Sequence, residues 1–125
     1  MTDIYDQHNK AFARVSAFVI LKNGERVATI AFKFPADGAG RLWCYVHWLG
    51  WPMVRGYADG YGYDKRSAAV ANAVNKMAVM PASPDQARDM KRDGQPAFEA
   101  ALAKDDGHGW ERHLRDAGFA VFQAV

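Results

Sequence analysis

"ARVSAFVILKNGERVATIAFKF", residues 13–34, carries the strongest structural signal of the chain. Asn23 and Gly24 separate two runs of β-branched and aromatic residues, and both tolerate the positive φ angles of a type I′ turn. The segment therefore predicts a β-hairpin in which the numbers of paired residues sum to 47. Lys22 then faces Glu25, which is a favourable cross-strand pair.

One face of this hairpin is almost wholly apolar and is predicted to face the core. It consists of Ala13, Val15, Ala17, Val19, Leu21, Ala28, Ile30, Phe32 and Phe34. The other face carries Phe12, Arg14, Ser16, Phe18, Ile20, Val27, Thr29, Ala31 and Lys33. This register sets Arg14 opposite Lys33, a like-charge pair that is mildly destabilising by itself. Either both side chains splay into water or an anionic ligand lies between them, and the sequence leaves both open.

After the turn cluster "PADGAG" (35–40), the segment "RLWCYVHWL" (41–49) alternates between apolar and amphipathic residues. The apolar set is predicted to face the core and comprises Leu42, Cys44, Val46 and Trp48. Trp43, Tyr45 and His47 fall on the other face. "GWP" ends this strand, and "MVRGYA" (53–58) predicts a short fourth strand at an edge of the sheet.

From Asp64 the apolar period becomes helical, with Asp64 as N-cap and Pro81 after the end. The apolar stripe consists of Val70, Ala73, Val74, Met77 and Met80. Because it is rich in alanine, this helix is expected to lie close to the sheet.

Three further helical signals follow. "SPDQ" (83–86) opens a short helix that stops near Gly94, and Pro96 opens another that ends before "DDGHG". "GWERHLRDAG" (109–118) predicts a helix with Gly118 at its C-terminal cap. "FAVFQAV" (119–125) predicts a final strand, whose place in the sheet stays open.

Strands followed by helices indicate an α+β domain. We predict a single domain over residues 1–125, with an antiparallel sheet of four to five strands and three to four helices packed mainly on one face.

Composition bounds the class of protein. One cysteine excludes an internal disulfide, and no apolar run approaches the roughly 20 residues of a membrane helix. The first ten residues lack the basic and apolar regions of a secretion signal. A cytosolic protein is therefore predicted. The net charge of +2 divides into +4 over residues 1–80 and −2 over residues 81–125, which is compatible with an anionic partner.

The loop "RGYADGYGYDKRSAA" (55–69) raises the question of a phosphate site ahead of a helix. Its spacing fits neither the Walker A pattern nor the dinucleotide pattern, because lysine and serine follow the glycines too late. Asp64 as N-cap also occupies the free amides. Gly56, Gly60 and Gly62 are instead expected to supply unusual backbone angles. The side chains around this loop are a candidate partner surface: Tyr57, Tyr61, Tyr63, Lys65 and Arg66.

No metal, cofactor or catalytic site is predicted. Cys44 and His47 are three residues apart on a strand, so their side chains point to opposite faces and do not share a zinc ion. "DDGHGWERH" (105–113) is interpreted as a solvated turn rather than a metal or general-base site. Cys44 falls on the core side, where thiols are usually inert.

An aromatic and basic sheet face is the most informative constellation. It comprises Arg14, Lys33, Trp43, Tyr45 and His47, with Arg55 and Tyr57 added by the fourth strand. Flat aromatic rings flanked by cations bind single-stranded nucleic acids. The same residue types dominate protein interfaces. A third alternative is that helices or a second subunit cover the face.

The block "FKFPADGAGRLWCYVHWLGWPMVRGYADGYGYDKRSAAVANAV" (32–74), with "GWERHLRDAGFAVFQAV" (109–125), resembles a group of small phage and prophage accessory proteins. The resemblance rests on the strand, "GYGYDK" and alanine-rich helix order and on the "L-x-x-A-G-F" ending. It implies a mobile-element gene whose product works by binding in the cytoplasm of the bacterial host, including as an inhibitor of defence systems such as CRISPR complexes.

We therefore expect a non-enzymatic protein that binds a host or phage protein complex. The alternative is a nucleic-acid-binding module that uses the aromatic and basic face. No membrane partner is expected, and homo-oligomerisation stays open.

Overall fold

The computed structural model describes residues 15–34, 40–60, 65–79, 94–104 and 109–124. The strands are β1 (Val15–Lys22), β2 (Glu25–Lys33), β3 (Arg41–Trp48), β4 (Val54–Asp59) and β5 (Ala120–Gln123). The helices are α1 (Arg66–Val79), α2 (Gln95–Leu102) and α3 (Trp110–Asp116). All strand pairs are antiparallel, and the order β4-β3-β2-β1-β5 makes one five-stranded sheet. The predicted α+β class is confirmed.

Several expectations fall outside the described residues. These are the helix opened by "SPDQ", Asp64 as N-cap, Met80 on the α1 stripe, Pro81 after its end and the turn at "DDGH". The sheet order answers the question left open by the sequence, since β5 lies at the edge beside β1. The prediction of β4 as an edge strand is confirmed.

The hairpin turn forms as predicted. Asn23 and Gly24 have φ angles of 53° and 81°, and Lys22 pairs with Glu25. The register then shifts, because Leu21 pairs with Arg26 whereas Ile20 pairs with Ala28. Val27 is thus an extra residue in β2, and beyond it the numbers of paired residues sum to 48 instead of 47. The change is a β-bulge.

The bulge reverses the predicted facing of β1, because a one-residue slip moves every side chain to the other face. Phe18 and Ile20 are buried at 3% and 0% exposure, whereas Val15 is 49% exposed. The core set predicted for β1 is therefore wrong. The core set predicted for β2 is right, but Val27, predicted on the other face, is also buried in the core. Lys33 pairs with Val15, so the predicted pairing with Arg14 is also wrong. Arg14 itself lies outside the described residues.

The core lies between one face of the sheet and the three helices. The predicted inward residues of β3 are completely buried, and the α1 stripe is at most 2% exposed: Val70, Ala73, Val74 and Met77. Trp110 of α3 packs edge-on against Phe18, with ring centroids 4.9 Å apart. On α2, Phe98 packs against Trp48 at 4.8 Å.

Helix α1 lies unusually close to β4. A Cβ atom added to Gly56 would lie 2.2 Å from the Ala73 backbone nitrogen and 2.5 Å from its Cα. Gly56 has no positive φ, so the expected role of an unusual backbone angle is wrong for this residue. Its function is the close approach of helix and strand. Gly60, with φ of 94°, does have the predicted unusual angle, and Gly62 lies outside the described residues.

Helix α3 ends at the predicted glycine. Gly118 has φ of 95°, its N–H donates to the Arg115 carbonyl, and the Phe119 N–H donates to the Leu114 carbonyl. This is a Schellman motif, which directs the chain into β5. Within the described residues, no helix is long and apolar enough to cross a membrane.

Candidate functional site

The sheet face away from the helices collects the amphipathic residues of the central and β4-side strands. We call it the open face, since the described helices all pack on the opposite side. Its strand side chains follow from the pairing and comprise Val15, Ala17, Val19, Leu21, Arg26, Thr29, Ala31, Lys33, Arg41, Trp43, Tyr45, His47, Arg55, Tyr57, Asp59, Ala120 and Phe122. The aromatic residues are concentrated on β3 and β4, and smaller apolar residues dominate β1.

Four side chains on β3 and β4 form a continuous row of contacts, which we call the ladder: Arg41, Tyr57, Trp43 and Arg55. Trp43 and Tyr57 are a cross-strand pair with ring centroids 5.5 Å apart. The Arg55 guanidinium carbon lies 4.4 Å from the centroid of the Trp43 ring. At the other end, the Arg41 guanidinium carbon lies 4.2 Å from the centroid of the Tyr57 ring. The two rings, inclined at 57° to each other, are therefore flanked by one guanidinium group at each end.

The geometry of the ladder follows from local sequence. Residues 41, 43 and 45 share one face of β3, as do residues 55, 57 and 59 of β4, because side chains alternate along a strand. Cross-strand pairs and their diagonal neighbours lie within reach of long side chains. Cation–π attraction then favours an arginine over each ring.

Helix α1 fixes the outer edge of this site. Asn72 Oδ1 accepts the Tyr57 N–H at 3.0 Å, and Lys76 Nζ donates to the Arg55 carbonyl at 2.7 Å. Both contacts go to backbone groups of an edge strand, which otherwise attracts pairing with another chain. The backbone that carries Arg55 and Tyr57 is consequently held from its outer side.

The structure brings most of the predicted site residues together. Trp43 lies beside both Lys33 and Tyr57, and Tyr45 pairs with Arg55. His47 pairs with Thr29 on the same face. Lys33 and Arg55 are exposed, while the remaining predicted members are half-buried: Trp43, Tyr45, His47 and Tyr57.

Other predicted residues lie elsewhere. Arg14, Tyr61 and Tyr63 are outside the described residues. Lys65 is exposed, and its side chain lies beside Gly60 at the end of β4. Arg66 lies on the helix side, where its guanidinium carbon is 5.2 Å from the Phe32 ring centroid and 5.3 Å from that of Phe34. Arg66 therefore does not share the open face.

Sequence reasoning missed Arg41 and Asp59. Arg41 Nε lies 3.4 Å from an oxygen of Asp59, its cross-strand partner. The signal was present, because Arg41 stands two residues before Trp43 and Asp59 two after Tyr57. Alternation alone places both on the open face.

The structure gives Cys44 no chemical role on this face. Cys44 is completely buried on the helix side, and burial raises the pKa of its thiol far above its usual range. His47 lies on the open face, so the two side chains are on opposite sides of the sheet, as predicted. Within the described part of the chain, no three His, Cys, Asp or Glu side chains are grouped to hold a metal ion. Residues 105–108 lie outside that part.

Comparison with known proteins finds no matching family model, curated protein or solved structure.

Proposed function

We propose that the protein acts by macromolecular binding and that the ladder on the open face is its contact surface. The observation that supports this is the row of contacts between Arg41, Tyr57, Trp43 and Arg55 on the open face. Tryptophan, tyrosine and arginine are the residue types that contribute most to binding energy at macromolecular interfaces.

The ladder is also organised before any partner arrives. Each arginine rests on a ring at 4.2 or 4.4 Å, and α1 side chains hold the β4 backbone. Ordering a long side chain on binding costs about 0.5–1.5 kcal/mol, so prior stacking reduces that cost. Because the arginine side chains have already lost part of their conformational entropy in the unbound protein, less entropy is lost when a partner binds.

We further propose that the biological context is that of a phage or mobile-element accessory protein in the bacterial cytoplasm. Inhibition of a host defence system such as a CRISPR complex is the sharpest form of this proposal. Its support is the resemblance of the two sequence blocks described above.

The test is affinity purification from infected or lysogenic host cells, followed by mass spectrometry of the retained proteins and sequencing of the retained nucleic acids. Wild type is compared with the double variant Trp43→Ala, Arg55→Ala. The matched control is Arg112→Ala, which removes an exposed charge from α3 on the helix side.

We expect a partner that wild type and the control retain and that the double variant loses. A partner retained equally by all three proteins would refute a role for the ladder. Recovery of a defence complex would support the inhibitor proposal, and recovery of unrelated partners would count against it.

A further inference from the structure

We infer that the partner recognised by the ladder is a single-stranded nucleic acid. This inference rests on the proposed function, since both use the open face. It adds the class of partner, which the residue types of the ladder alone do not decide.

The positive net charge of the open face favours a polyanionic partner. Among its described strand residues there are four lysines and arginines and one carboxylate: Arg26, Lys33, Arg41, Arg55 and Asp59. Asp59 contacts Arg41 through Nε at 3.4 Å and is 86% exposed, so this single carboxylate lies at one end of the site. The charged strand residues of this face therefore sum to +3, and a surface of one predominant sign attracts a partner of the opposite sign.

The arrangement of the cations matches a chain of phosphates and bases better than an acidic protein surface. Lys33 pairs with Trp43, and Trp43 in turn carries Arg55 on its ring. Three of the four cations, Lys33, Arg41 and Arg55, are therefore adjacent to an aromatic ring. Single-strand binders use this combination, in which bases stack on rings while lysine and arginine contact the backbone.

Half-buried aromatic rings on a sheet face that no described helix covers also favour unpaired bases. In a duplex the bases are already stacked on one another and offer no free face to Trp43 or Tyr45. The open face of β3 runs from Arg41 to His47, which is about 20 Å at roughly 3.4 Å per residue. That length accommodates at most about six nucleotides at the roughly 3.4 Å spacing of one DNA strand.

The test measures fluorescence anisotropy of the full chain with labelled 12-nucleotide oligo(dT) and oligo(U), and with a duplex of equal length. If Lys33, Arg41 and Arg55 each contact a phosphate, affinity should fall roughly 20-fold between 50 and 200 mM salt, since the single-strand slope is about −0.7 per contact. Arg55→Gln should reduce this fall to about 7-fold. Trp43→Ala should weaken binding roughly 5- to 150-fold, the range expected for one stacked base.

Arg112→Gln serves as the charge-matched control and should bind like wild type. Urea midpoints establish that each variant is folded, and Arg55→Gln keeps the test valid if Trp43→Ala does not fold. Binding of either single strand that is weakened by both open-face variants supports the inference.

Three outcomes would overturn it: no binding of any single strand at 50 mM salt, equal binding of duplex and single strand, or equal loss in the Arg112 control. A different outcome is that wild type captures a protein partner that is retained after nuclease treatment. If the open-face variants lose that partner, the proposed function is supported and the nucleic-acid inference is refuted. If they affect neither partner, both proposals fail.

Discussion

Substitution of Gly56 by alanine is the sharpest test of how α1 positions the candidate site. The added Cβ would meet the Ala73 nitrogen at 2.2 Å and the Ala73 Cα at 2.5 Å. Ordinary contacts between non-bonded heavy atoms are about 3.5–4.0 Å, so helix and strand must separate by about 1.3 Å or more. Backbone atoms cannot rotate away as the tip of a long side chain can.

Two energetic consequences follow from this separation. Overpacking of a core typically costs about 1–3 kcal/mol. The hydrogen bond from Tyr57 N–H to Asn72, now 3.0 Å, would stretch beyond bonding distance and cost a further 0.5–1.5 kcal/mol or so. With the packing lost around the helix, we expect a loss of about 2–5 kcal/mol in the free energy of unfolding. A domain of 125 residues typically has about 6–19 kcal/mol in total.

Urea denaturation followed by tryptophan fluorescence measures this loss. Trp48, Trp51 and Trp110 are buried and should report unfolding. With a slope of about 2 kcal/mol per molar urea, the midpoint should fall by about 1–2.5 M. A change in midpoint without a change in slope would identify the effect as one on stability.

Two further variants separate the clash from other effects of glycine replacement. Gly24→Ala adds a Cβ that meets nothing within 4 Å but has φ of 81°, so it should cost only about 1–2 kcal/mol through backbone strain. The double variant Gly56→Ala, Ala73→Gly removes the Cβ contact at 2.8 Å but leaves both backbone contacts, and it should not recover stability. A loss below about 1 kcal/mol for Gly56→Ala, or rescue by Ala73→Gly, would refute the close-approach explanation.

Three other predictions concern the core, the β4 edge and the end of α3. The buried Cys44 thiol should resist alkylation in the native state and react on unfolding; alkylation at the rate of a free thiol would contradict its burial. Because burial raises its folded pKa, the native state keeps the proton that the unfolded chain loses above about pH 8.5. The free energy of unfolding of wild type relative to Cys44→Ala should therefore fall by about 1.4 kcal/mol per pH unit above that pH, and parallel pH profiles would argue against it. Asn72→Ala should lower the free energy of unfolding by about 1 kcal/mol in urea denaturation, because it leaves the Tyr57 N–H without its acceptor. The control Asn75→Ala, at an exposed position of the same helix, should cost under about 0.5 kcal/mol. Equal losses would show that the contact at the β4 edge is unimportant. Gly118→Ala should lower the stability measured by thermal melting by about 1 kcal/mol, and Gly118→Asn should lower it less, because asparagine tolerates φ near +95° better. Equal losses for the two variants would count against the Schellman cap.

Much of the architecture follows from local sequence patterns. The Asn23–Gly24 turn, the alternation of β3, the apolar stripe of α1 and the glycine after α3 all form as predicted. Each of these features depends on residues close together in sequence, so local propensity and hydrophobic periodicity are sufficient to predict it. The same alternation placed Trp43, Tyr45 and His47 together and would have added Arg41.

The placement of the helices and of the last strand depends on contacts distant in sequence. The alanine-rich stripe of α1 predicted a close helix, but the role of Gly56 appears only when Ala73 packs on it. Arg66 likewise stands beside Lys65 in sequence but lies over the rings of Phe32 and Phe34. Proximity along the loop was a poor guide to which cations share a surface.

The sequence by itself determined which residues alternate together within each strand, because side chains on a strand repeat every two residues. Only the tertiary structure decided which β1 set faces the helices. That choice depends on the extra residue Val27 in β2. The Val27 carbonyl accepts a hydrogen bond of 2.9 Å from the N–H of Leu49, which directly follows β3. One inserted residue exchanges the two faces of β1 and buries Phe18 and Ile20, since register, unlike alternation, is set by partners remote in the chain.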